Sequence, residues 1–556
     1  MHGVGDGGTG PWGLIDVLPA TFWLCAPVPT LVLALALTRR RRTLVLAAAL
    51  VAQTAMLHGV AGAAETVARF PAAWLHAGFT NQIMVTGETM TNLDARFSWP
   101  GFFSGAAVFA SAVGAEPAAL LRWAPLLFAL AYLPPLALLF RSLTGSWRVR
   151  WMGLWVFTSV NWIGQDYFAP QSFALLLHLI AISVVCAVFL RRRQTDLTLG
   201  GIRLHDSMLR GIPAHPSAHQ RAMLICLLTL IMATLAMSHQ LTPFMLIAVL
   251  TMLALVGALR PKLLPLVAIV LTFAWISYGA AAYWTGHLDV MFGKAGQVDV
   301  VVGSGVEARM IGSDVHRTVI NVRMGFTAMV WLLSAGGAVL AWRRRAGGLY
   351  LALMAIAPFT MLAFQSYGGE GILRIFLFAL PPIALLTARA VHDFARYRRR
   401  RAAVVLVAAL LTIPTFMVAK YGNESFERVT RGEIETVNAL YTLAPPGSTL
   451  VTISPNLPWR LHGLTGYDYE PKNLDEFALD RLDVIITMMS GRPKGAYLII
   501  TKGQLVYAEQ TYGLPPGWGD TLQTQLRRSG RFAVVFAAQD GVIYRLVPPP
   551  KKRARR

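Results

Sequence analysis

The fold is decided by stretches such as residues 172–190, SFALLLHLIAISVVCAVFL, which contain no charged side chain. Residues 222–238, AMLICLLTLIMATLAMS, repeat the pattern. A helix of about 20 apolar residues crosses the ~30 Å hydrocarbon core of a bilayer. Because both stretches are close to that length and similar ones recur, the chain is predicted to cross a membrane many times.

The composition agrees with this interpretation. The 556 residues are 55% hydrophobic and only 14% charged, whereas soluble proteins carry about 25% charged residues. The sequence therefore excludes a soluble enzyme, a secreted disulfide scaffold and a disordered tail protein. We predict a polytopic α-helical membrane protein with about twelve spans, at residues 13–38, 43–62, 117–140, 147–163, 172–190, 222–238, 243–260, 264–284, 324–342, 348–364, 375–389 and 403–420.

The basic residues fix the predicted orientation. The formal net charge is +22, but Arg residues gather in short clusters between the apolar stretches, for example at 39–42 and 343–345. One set of alternate loops holds 24 Lys and Arg, and the opposite set holds 8. By the positive-inside rule the first set is cytoplasmic, so both termini face outward from a plasma membrane. Because the positive charge is distributed over short loops between apolar stretches, it does not favour nucleic-acid binding. The excess of Arg over Lys is typical of GC-rich coding and predicts an actinobacterial source.

The domain organisation follows from a change in composition near residue 421. Residues 1–420 form the predicted transmembrane domain, and residues 63–116 are its large first outer loop. Residues 421–550 have a near balance of acidic and basic side chains, and short β-rich runs alternate with amphipathic stretches. This pattern predicts a C-terminal extracytoplasmic α/β domain, and residues 551–556 form a basic tail. The predicted strands are Thr449–Ile453, Tyr497–Thr501, Phe532–Phe536 and Val542–Leu546, and the amphipathic stretches lie near 424–441 and 473–489.

Polar residues cluster at the predicted outer ends of the spans, in four places. Ionisable and amide side chains are costly at the membrane boundary and often mark function. The clusters lie in the large first loop, in the connections between spans four and five and between spans six and seven, and in the connection between spans ten and eleven. Their candidate site residues are, in chain order, His76, Asp94 and Arg96; Gln165, Asp166, Tyr167 and Gln171; His239 and Gln240; and Glu370 and Arg374.

These residue types suit transfer from a lipid-linked substrate. Activated substrates outside a bacterial cell usually arrive on a lipid phosphate. A carboxylate can deprotonate an acceptor hydroxyl, and the planar fork of Arg can hold two phosphate oxygens as charge builds on the leaving group. We expect Asp94 or Asp166 to be the base and Arg374 to bind phosphate. Aromatic platforms for sugar faces are available at Trp74, Trp99, Trp162 and Tyr167.

The arrangement resembles the GT-C class of membrane glycosyltransferases, which use polyprenyl-phosphate sugars. The segments DARFSWPGFF (94–103), WIGQDYFAPQS (162–172), SHQLTPF (238–244) and GGEGILRIFLFALP (368–381) also look like those of uncharacterised actinobacterial multispan glycosyltransferase-like proteins. In the class, a large first outer loop carries an essential acid, which Asp94 matches best. The chain departs from the class in lacking a second acid beside Asp94, in lacking a WWD signature and in having an extra N-terminal span.

The resemblance implies hexosyl or pentosyl transfer by direct displacement at the anomeric carbon. Asp94 or Asp166 would activate the acceptor, and Arg374 with His239 would bind the donor phosphate. Glu370, Gln165, Gln171, Gln240, Tyr167, His76 and Arg96 would support them. The implied partners are a polyprenyl-phosphate lipid donor, a glycan or lipid acceptor of the cell envelope and the membrane lipids. The sequence contains no convincing metal cage, and a divalent cation between Asp94 and a donor phosphate stays open.

Two other functions stay open at this point. A transporter or flippase of lipid-linked glycans would place charges or broken helices near mid-membrane, whereas here the polar groups gather at one face. A non-catalytic envelope-polymer assembly protein would bind polymer through residues 421–550. Individual residues also have structural interpretations: Asp94 and Arg96 as a solvated pair, Asp166 as a helix cap, His239 as a hydrogen-bonded helix end, and Glu370 with Arg374 as a helical ion pair.

Overall fold

The computed structural model describes residues 10–547 with gaps at 40–41, 92, 192, 195–196, 200–201, 205–206, 285–309, 364–369, 395–397 and 472–480. The predicted basic tail at 551–556 lies outside these residues, as do Gln365 and Tyr367 in the fourth polar cluster.

Most of the described chain before residue 421 is helical. The α-helices of this part are Leu14–Val17, Ala20–Cys25, Pro27–Thr38, Thr43–His58, Val60–Ala64, Pro71–Thr86, Gly101–Val113, Pro117–Leu121, Ala124–Ala131, Leu133–Leu143, Trp147–Val160, Pro170–Val184, Ala218–Ser238, Thr242–Leu255, Leu264–Ala274, Ala281–Trp284, Asp314–Arg343, Gly348–Ile356, Gly371–Phe394 and Arg398–Tyr421. Two small hairpins pair Arg193–Gln194 with Ser207–Met208 and Leu197–Leu199 with Ile202–Leu204.

Six helical segments of the described chain are long and apolar enough to cross a membrane, or seven if one bent pair counts as a single span. Five more apolar helices are shorter. The molecule is therefore a largely helical protein with several membrane-crossing helices, and the count of twelve spans stays a prediction. The six segments are Ala20–Thr38, Ala124–Leu143, Pro170–Phe189, Ala218–Ser238, Asp314–Arg343 and Gly371–Phe394.

Helix Gly371–Phe394 is the centre of the bundle. It packs against Asp314–Arg343 and Trp147–Val160, and its residues from Arg374 to Ala388 are buried without interruption. A helix that is apolar all round is expected to be buried on every side. Because the only buried charge in that run is at its beginning, Arg374 lies where the packed core ends.

The large first loop contains two substantial helices, Pro71–Thr86 and Gly101–Val113. The second begins just after Trp99 and is largely apolar. It buries Phe102 and Phe103, but Val108 and Phe109 are 71% and 54% exposed. An apolar face left open in this way suits contact with lipid.

The C-terminal domain is a five-stranded mixed sheet with helices. We label its strands β1 to β5, and they lie in the order β2-β1-β3-β5-β4. The parallel pairings of β1 and the antiparallel hairpin of β4 and β5 agree with the predicted α/β class. The strands are β1 (Thr449–Thr452), β2 (Asp468–Pro471), β3 (Ala496–Thr501), β4 (Phe532–Ala538) and β5 (Gly541–Leu546), and the helices after residue 421 are Glu424–Glu427, Arg431–Leu443, Leu482–Met489, Lys502–Thr511 and Trp518–Arg528.

The connection into this domain is anchored to the large first loop. Arg69 Nη2 donates to Glu427 Oε2 at 2.6 Å, and Arg428 Nε lies 3.6 Å from Glu65 Oε1. The backbone N–H of Phe70 donates to the carbonyl oxygen of Glu427 at 2.9 Å. The C-terminal domain and the large first loop therefore share one end of the helical bundle, which we call the domain end.

Candidate functional site

A cavity of about 180 Å³ lies at the domain end. All four polar clusters of the sequence contribute to its wall, although they come from segments far apart in the chain. Eight of the eleven candidate residues line it: His76, Arg96, Gln165, Tyr167, Gln171, His239, Gln240 and Arg374. Trp99, Phe103, Ser238 and Tyr283 are also in the wall. The convergence of these clusters makes the cavity the candidate site.

His76 enters the cavity from helix Pro71–Thr86. Its Nδ1 lies 3.0 Å from the carbonyl oxygen of Phe168, so Nδ1 carries a proton and donates it. The ring stacks on Tyr167, with centroids 5.7 Å apart and planes 4° from parallel. Burial and the charge of Arg96 lower the pKa of His76 to about 4. At neutral pH the ring is uncharged, and its Nε2 is a hydrogen-bond acceptor.

His239 has the opposite character. It ends helix Ala218–Ser238, and its Nδ1 accepts hydrogen bonds from the backbone N–H groups of Leu241 at 3.1 Å and Thr242 at 3.2 Å. These bonds tie the end of one helix to the beginning of the next. Burial, with the charge of Arg374, lowers the pKa of His239 to about 3. Because Nδ1 is an acceptor in a neutral ring, the proton is on Nε2, and His239 offers the cavity a donor.

Arg374 is the more deeply buried of the two arginines in the cavity wall. It lies in the first turn of helix Gly371–Phe394 and is 6% exposed. Its Nη2 donates to Glu370 Oε2 at 2.6 Å, and the Glu370 side chain is 40% exposed. Glu370 does not line the cavity, so it holds Arg374 from the side. The pair is the helical ion pair that the spacing of four residues indicates.

Asp94 lies next to the wall and is fixed to Arg96. The Asp94 Oδ1 accepts from the Arg96 backbone N–H at 2.9 Å and from Nε at 2.8 Å, and Oδ2 accepts from Nη2 at 2.8 Å. Burial alone would raise the pKa of Asp94, but these bonds and the charge of Arg96 hold it below its usual value. The charge of Arg460 from the C-terminal domain acts in the same direction. Asp94 thus holds Arg96 in place along the cavity.

Asp166 is separate from the cavity wall and is almost completely buried, at 3% exposure. Its Oδ2 accepts from Lys420 Nζ at 2.6 Å and lies 2.9 Å from His58 Nδ1. Burial by itself would raise the pKa of Asp166, but the charge of Lys420 and the bond to His58 lower it overall. This triad joins the loop that carries Gln165 and Tyr167 to the end of helix Arg398–Tyr421.

Several buried polar atoms of the wall have no protein hydrogen-bond partner among the described residues. Gln171 is 3% exposed, yet neither its Nε2 nor its Oε1 is bonded. The Oε1 of Gln165 and the Oγ of Ser238 are in the same position. An unbonded buried amide costs free energy on the order of 1–3 kcal/mol. The wall is therefore built for a hydrogen-bonding ligand.

The aromatic candidates divide between two places. Trp99 and Tyr167 line the cavity, and Trp99 meets Tyr283 edge to face at 5.0 Å. Trp74 is packed inside the large first loop, where its Nε1 donates to the carbonyl oxygen of Ala68 at 3.0 Å. Trp162 faces a second space, described next.

An apolar groove of about 260 Å³ lies beside the same helix. On helix Gly371–Phe394, Ile372 and Phe376 line the groove, and the turn geometry places them about 160° from Arg374. Arg323 is the charged residue of this groove: its Nε donates to the carbonyl oxygen of Ala419 at 2.7 Å, and its guanidinium carbon lies 5.3 Å from the Trp162 ring centre. A polar cavity and an apolar groove therefore flank the beginning of one helix.

The sequence did not single out some residues of this region. Lys420 and His58 surround Asp166, and Tyr283 lines the cavity. The sequence does show Lys420 as a charged residue at the end of an apolar stretch, but it does not indicate the partner of that charge. Arg460 has a left-handed φ of 65°, which no sequence pattern indicates.

The described residues do not bring three His, Cys, Asp or Glu side chains together as a metal site. The divalent cation left open beside Asp94 would have to compete with Arg96, which already bonds both oxygens of that carboxylate.

No protein-family model and no curated protein sequence matches the chain. Solved structures do. An oligosaccharyltransferase from Archaeoglobus fulgidus, tethered to an acceptor peptide with an NVT sequon, matches with a TM-score of 0.51 and 11% identity over 87% of this chain and 69% of that one. ArnT from Cupriavidus metallidurans, bound to undecaprenyl phosphate, matches with a TM-score of 0.50 and 14% identity over 96% of this chain and 99% of that one. The arabinofuranosyltransferase AftD from Mycobacteria gives a TM-score of 0.48 and 14% identity over 92% of this chain and 40% of that one.

The first two likenesses show that the chain has the fold of the GT-C membrane glycosyltransferases. At these identities the likeness concerns the fold alone, and function depends on the site.

Proposed function

We propose that the protein is a membrane glycosyltransferase that moves a hexosyl or pentosyl unit from a polyprenyl-phosphate donor to a cell-envelope acceptor. The reaction would take place on the outer face of the plasma membrane, with the C-terminal domain extracytoplasmic. The observation that carries the proposal is the convergence of four distant polar clusters on one cavity in a chain with this fold. A transporter would be expected to place its converging polar groups near mid-membrane, and an assembly protein does not require such a cavity.

The size and the wall of the cavity suit one sugar unit. Its volume of about 180 Å³ is below the roughly 300 Å³ at which pockets for drug-sized ligands begin. Gln171 and Gln165 offer amide groups to sugar hydroxyls, and Trp99 and Tyr167 offer ring faces. Sugar recognition needs both kinds of contact.

Arg374 would stabilise the phosphate that leaves the donor sugar. A guanidinium can form two parallel bonds to phosphate oxygens, and a buried cation acts more strongly there than in water. Glu370 keeps the guanidinium in place through the bond at 2.6 Å. Arg96, fixed by Asp94, supplies a second positive charge along the wall.

The apolar groove would take part of the lipid chain. It is lined by side chains such as Ile320, Trp331 and Phe376 and begins on the other side of the helix that carries Arg374. A lipid whose phosphate reaches Arg374 would then place isoprene units on the opposite side of that helix. The polar cavity would then hold the sugar phosphate of the donor, and the apolar groove would hold part of its lipid tail.

The test is a transfer assay in nanodiscs. Purified protein would be mixed with a panel of polyprenyl-phosphate monosaccharides and a cell-envelope glycan extract, and mass spectrometry would follow release of polyprenyl phosphate and growth of the acceptor. We expect one donor to be consumed. Arg374→Gln should lower kcat by about 100- to 1,000-fold, as loss of a charge-stabilising donor does in other enzymes.

Arg221→Gln is the matched control, because Arg221 is exposed at the other end of helix Ala218–Ser238 from His239 and should leave transfer unchanged. Absence of transfer from every donor by folded protein would contradict the proposal and favour transport or assembly. Equal activity of Arg374→Gln and wild type would remove Arg374 from the mechanism.

A further inference from the structure

We propose that His76 takes the proton from the acceptor hydroxyl, and that His239 donates a hydrogen bond to the same sugar unit. This inference rests on the proposed transfer reaction. It adds the residue that accepts the proton of the acceptor hydroxyl and the residue that donates a hydrogen bond to the sugar. The sequence pointed to carboxylates for this task, whereas the geometry points to a pair of histidines.

The His76 ring is fixed with its lone pair available. Its Nδ1–H is committed to the carbonyl oxygen of Phe168 at 3.0 Å, and the parallel contact with Tyr167 limits rotation. Because that backbone bond defines the tautomer, Nε2 is left as an acceptor in the cavity wall. A group that accepts a proton needs such a lone pair.

The His239 ring is fixed the other way round. Two backbone N–H groups, of Leu241 and Thr242, donate to its Nδ1, so its proton is on Nε2. Both rings line the same cavity. One acceptor and one donor on the same wall match a sugar, whose hydroxyls both donate and accept.

The carboxylates are less suited to the task. Asp94 already accepts three hydrogen bonds from Arg96 and is outside the lining of the cavity. Asp166 is bonded to Lys420 and His58 behind the wall. Protonation of either carboxylate would weaken the ion pair that holds it in place.

The proposed step is balanced as follows. The acceptor O–H bond breaks and its proton passes to His76 Nε2, while the acceptor oxygen forms a bond to the anomeric carbon of the donor. The bond from that carbon to the phosphate oxygen breaks, and its electron pair leaves with the polyprenyl phosphate beside Arg374. His76 then returns its proton to water. No oxidant, reductant or metal takes part.

The surroundings keep His76 neutral before the step. The groups that face it are Arg96 with its partner Asp94 from the large first loop, Tyr167 from the loop before helix Pro170–Val184, and His239. The positive charge of Arg96 opposes protonation of the free ring. As the acceptor hydroxyl loses its proton, the negative charge that develops on its oxygen offsets the positive charge of Arg96 and favours protonation of His76.

His76→Asn is the main variant, because the Asn amide can still donate to the carbonyl oxygen of Phe168 while the Nε2 lone pair is lost. We expect it to lower kcat by about 100- to 10,000-fold, the usual range for loss of general base catalysis.

His239→Asn keeps an oxygen acceptor for Leu241 and Thr242 and removes the Nε2–H. It should change kcat/KM by only about tenfold, the effect of one lost neutral hydrogen bond. His219→Asn is the control, because His219 is exposed far from the cavity.

Chemical rescue separates a proton acceptor from a structural role. Imidazole added to His76→Ala should restore transfer in proportion to its unprotonated concentration, whereas it should not change His219→Ala. A structural histidine would show no such dependence.

Two results would overturn the inference while leaving the proposed function intact: transfer by His76→Asn within about threefold of wild type, or a large loss of kcat in Asp94→Asn with His76→Asn active. If the wild-type protein transfers no sugar at all, the failure belongs to the proposed function, and the wild-type arm of the same assay shows which has failed.

Discussion

The two cavity histidines show how one residue type acquires opposite roles from its backbone neighbours. The Nδ1–H of His76 donates a hydrogen bond to a carbonyl oxygen, whereas the Nδ1 of His239 accepts hydrogen bonds from two backbone N–H groups. The side chains are identical, and the chain conformation around each ring decides which atom reaches the cavity.

The same histidines predict how stability depends on pH. Burial lowers the pKa of His76 to about 4 and that of His239 to about 3, whereas an unfolded histidine titrates near ~6.5. Between these values the unfolded chain binds protons that the folded chain does not. The stabilisation is therefore complete above about pH 6.5 and is lost as the pH falls, by up to about 1.4 kcal/mol per pH unit for each ring. Thermal unfolding in detergent between pH 8 and 5 measures it.

The double variant His76→Asn/His239→Asn should show a flatter dependence of Tm on pH than wild type, and His219→Asn should not. Parallel curves for all three proteins would contradict the burial of two neutral rings.

At Asp166 the decisive feature is a partner 254 residues away. Lys420→Met would leave a buried carboxylate without its main countercharge, which costs about 3–5 kcal/mol. We expect a large fall in the Tm of the purified protein. Asp166→Asn/Lys420→Met removes both charges and should recover part of the loss.

Lys262→Met is the control for this pair, because Lys262 is exposed. A Tm for Lys420→Met equal to that of Lys262→Met would show that the triad contributes nothing to stability.

At the scale of the elements, two helices of the large first loop are held by close backbone contacts. A Cβ at Gly101 would collide with the side-chain oxygen of Ser238 at the end of helix Ala218–Ser238. A Cβ at Gly78 would collide with the carbonyl oxygen of Arg460 from the C-terminal domain. Small residues are therefore required where the loop meets its two neighbours.

Gly78→Ala should separate helix Pro71–Thr86 from the Arg460 loop and destabilise the protein by about 1–3 kcal/mol, the range for overpacking. Gly105→Ala is its matched control: Gly105 is also helical and has no atom near the Cβ position, so alanine there should be neutral or stabilising by about 0.5–1 kcal/mol. Limited proteolysis after residue 421 would report the loosening. Equal Tm values and digestion rates for the two variants would contradict the contact.

At the scale of the whole molecule, sidedness is the prediction that the proposed function most needs. In a protein whose Cys25, Cys186 and Cys226 are replaced, Asp520→Cys on the C-terminal domain should react with a membrane-impermeant maleimide in intact spheroplasts. Lys262→Cys, in a predicted cytoplasmic loop, should react only after permeabilisation; both positions are exposed. The reverse pattern would place the cavity on the cytoplasmic face and contradict a polyprenyl-phosphate reaction on the outer face.

The sequence predicted the fold class and the candidate residues better than the chemical role of each residue. Apolar length and the positive-inside pattern grouped His76, Gln171, His239 and Arg374 as candidates at one predicted side, and these four residues line one cavity. Strand β2 was missed because its residues, Asp468–Pro471, carry no alternating apolar pattern.

The roles depend on contacts between distant segments. Lys420 and His58 contact Asp166 because three elements that are distant in the sequence meet there. The tautomer of His76 is set by the backbone carbonyl of Phe168. Periodicity and composition describe each segment alone, so they contain no information on these pairings.

The order of the cavity residues along the chain also has a consequence for biosynthesis. The first lining residue along the chain is His76 and the last is Arg374, and Lys420 holds the intervening loop through Asp166. A ribosome that has completed the large first loop and most of the spans has therefore not yet produced a closed site. In the nascent chain the lining residues are still apart, and the cavity forms only when the last helices of the bundle pack beside the first ones.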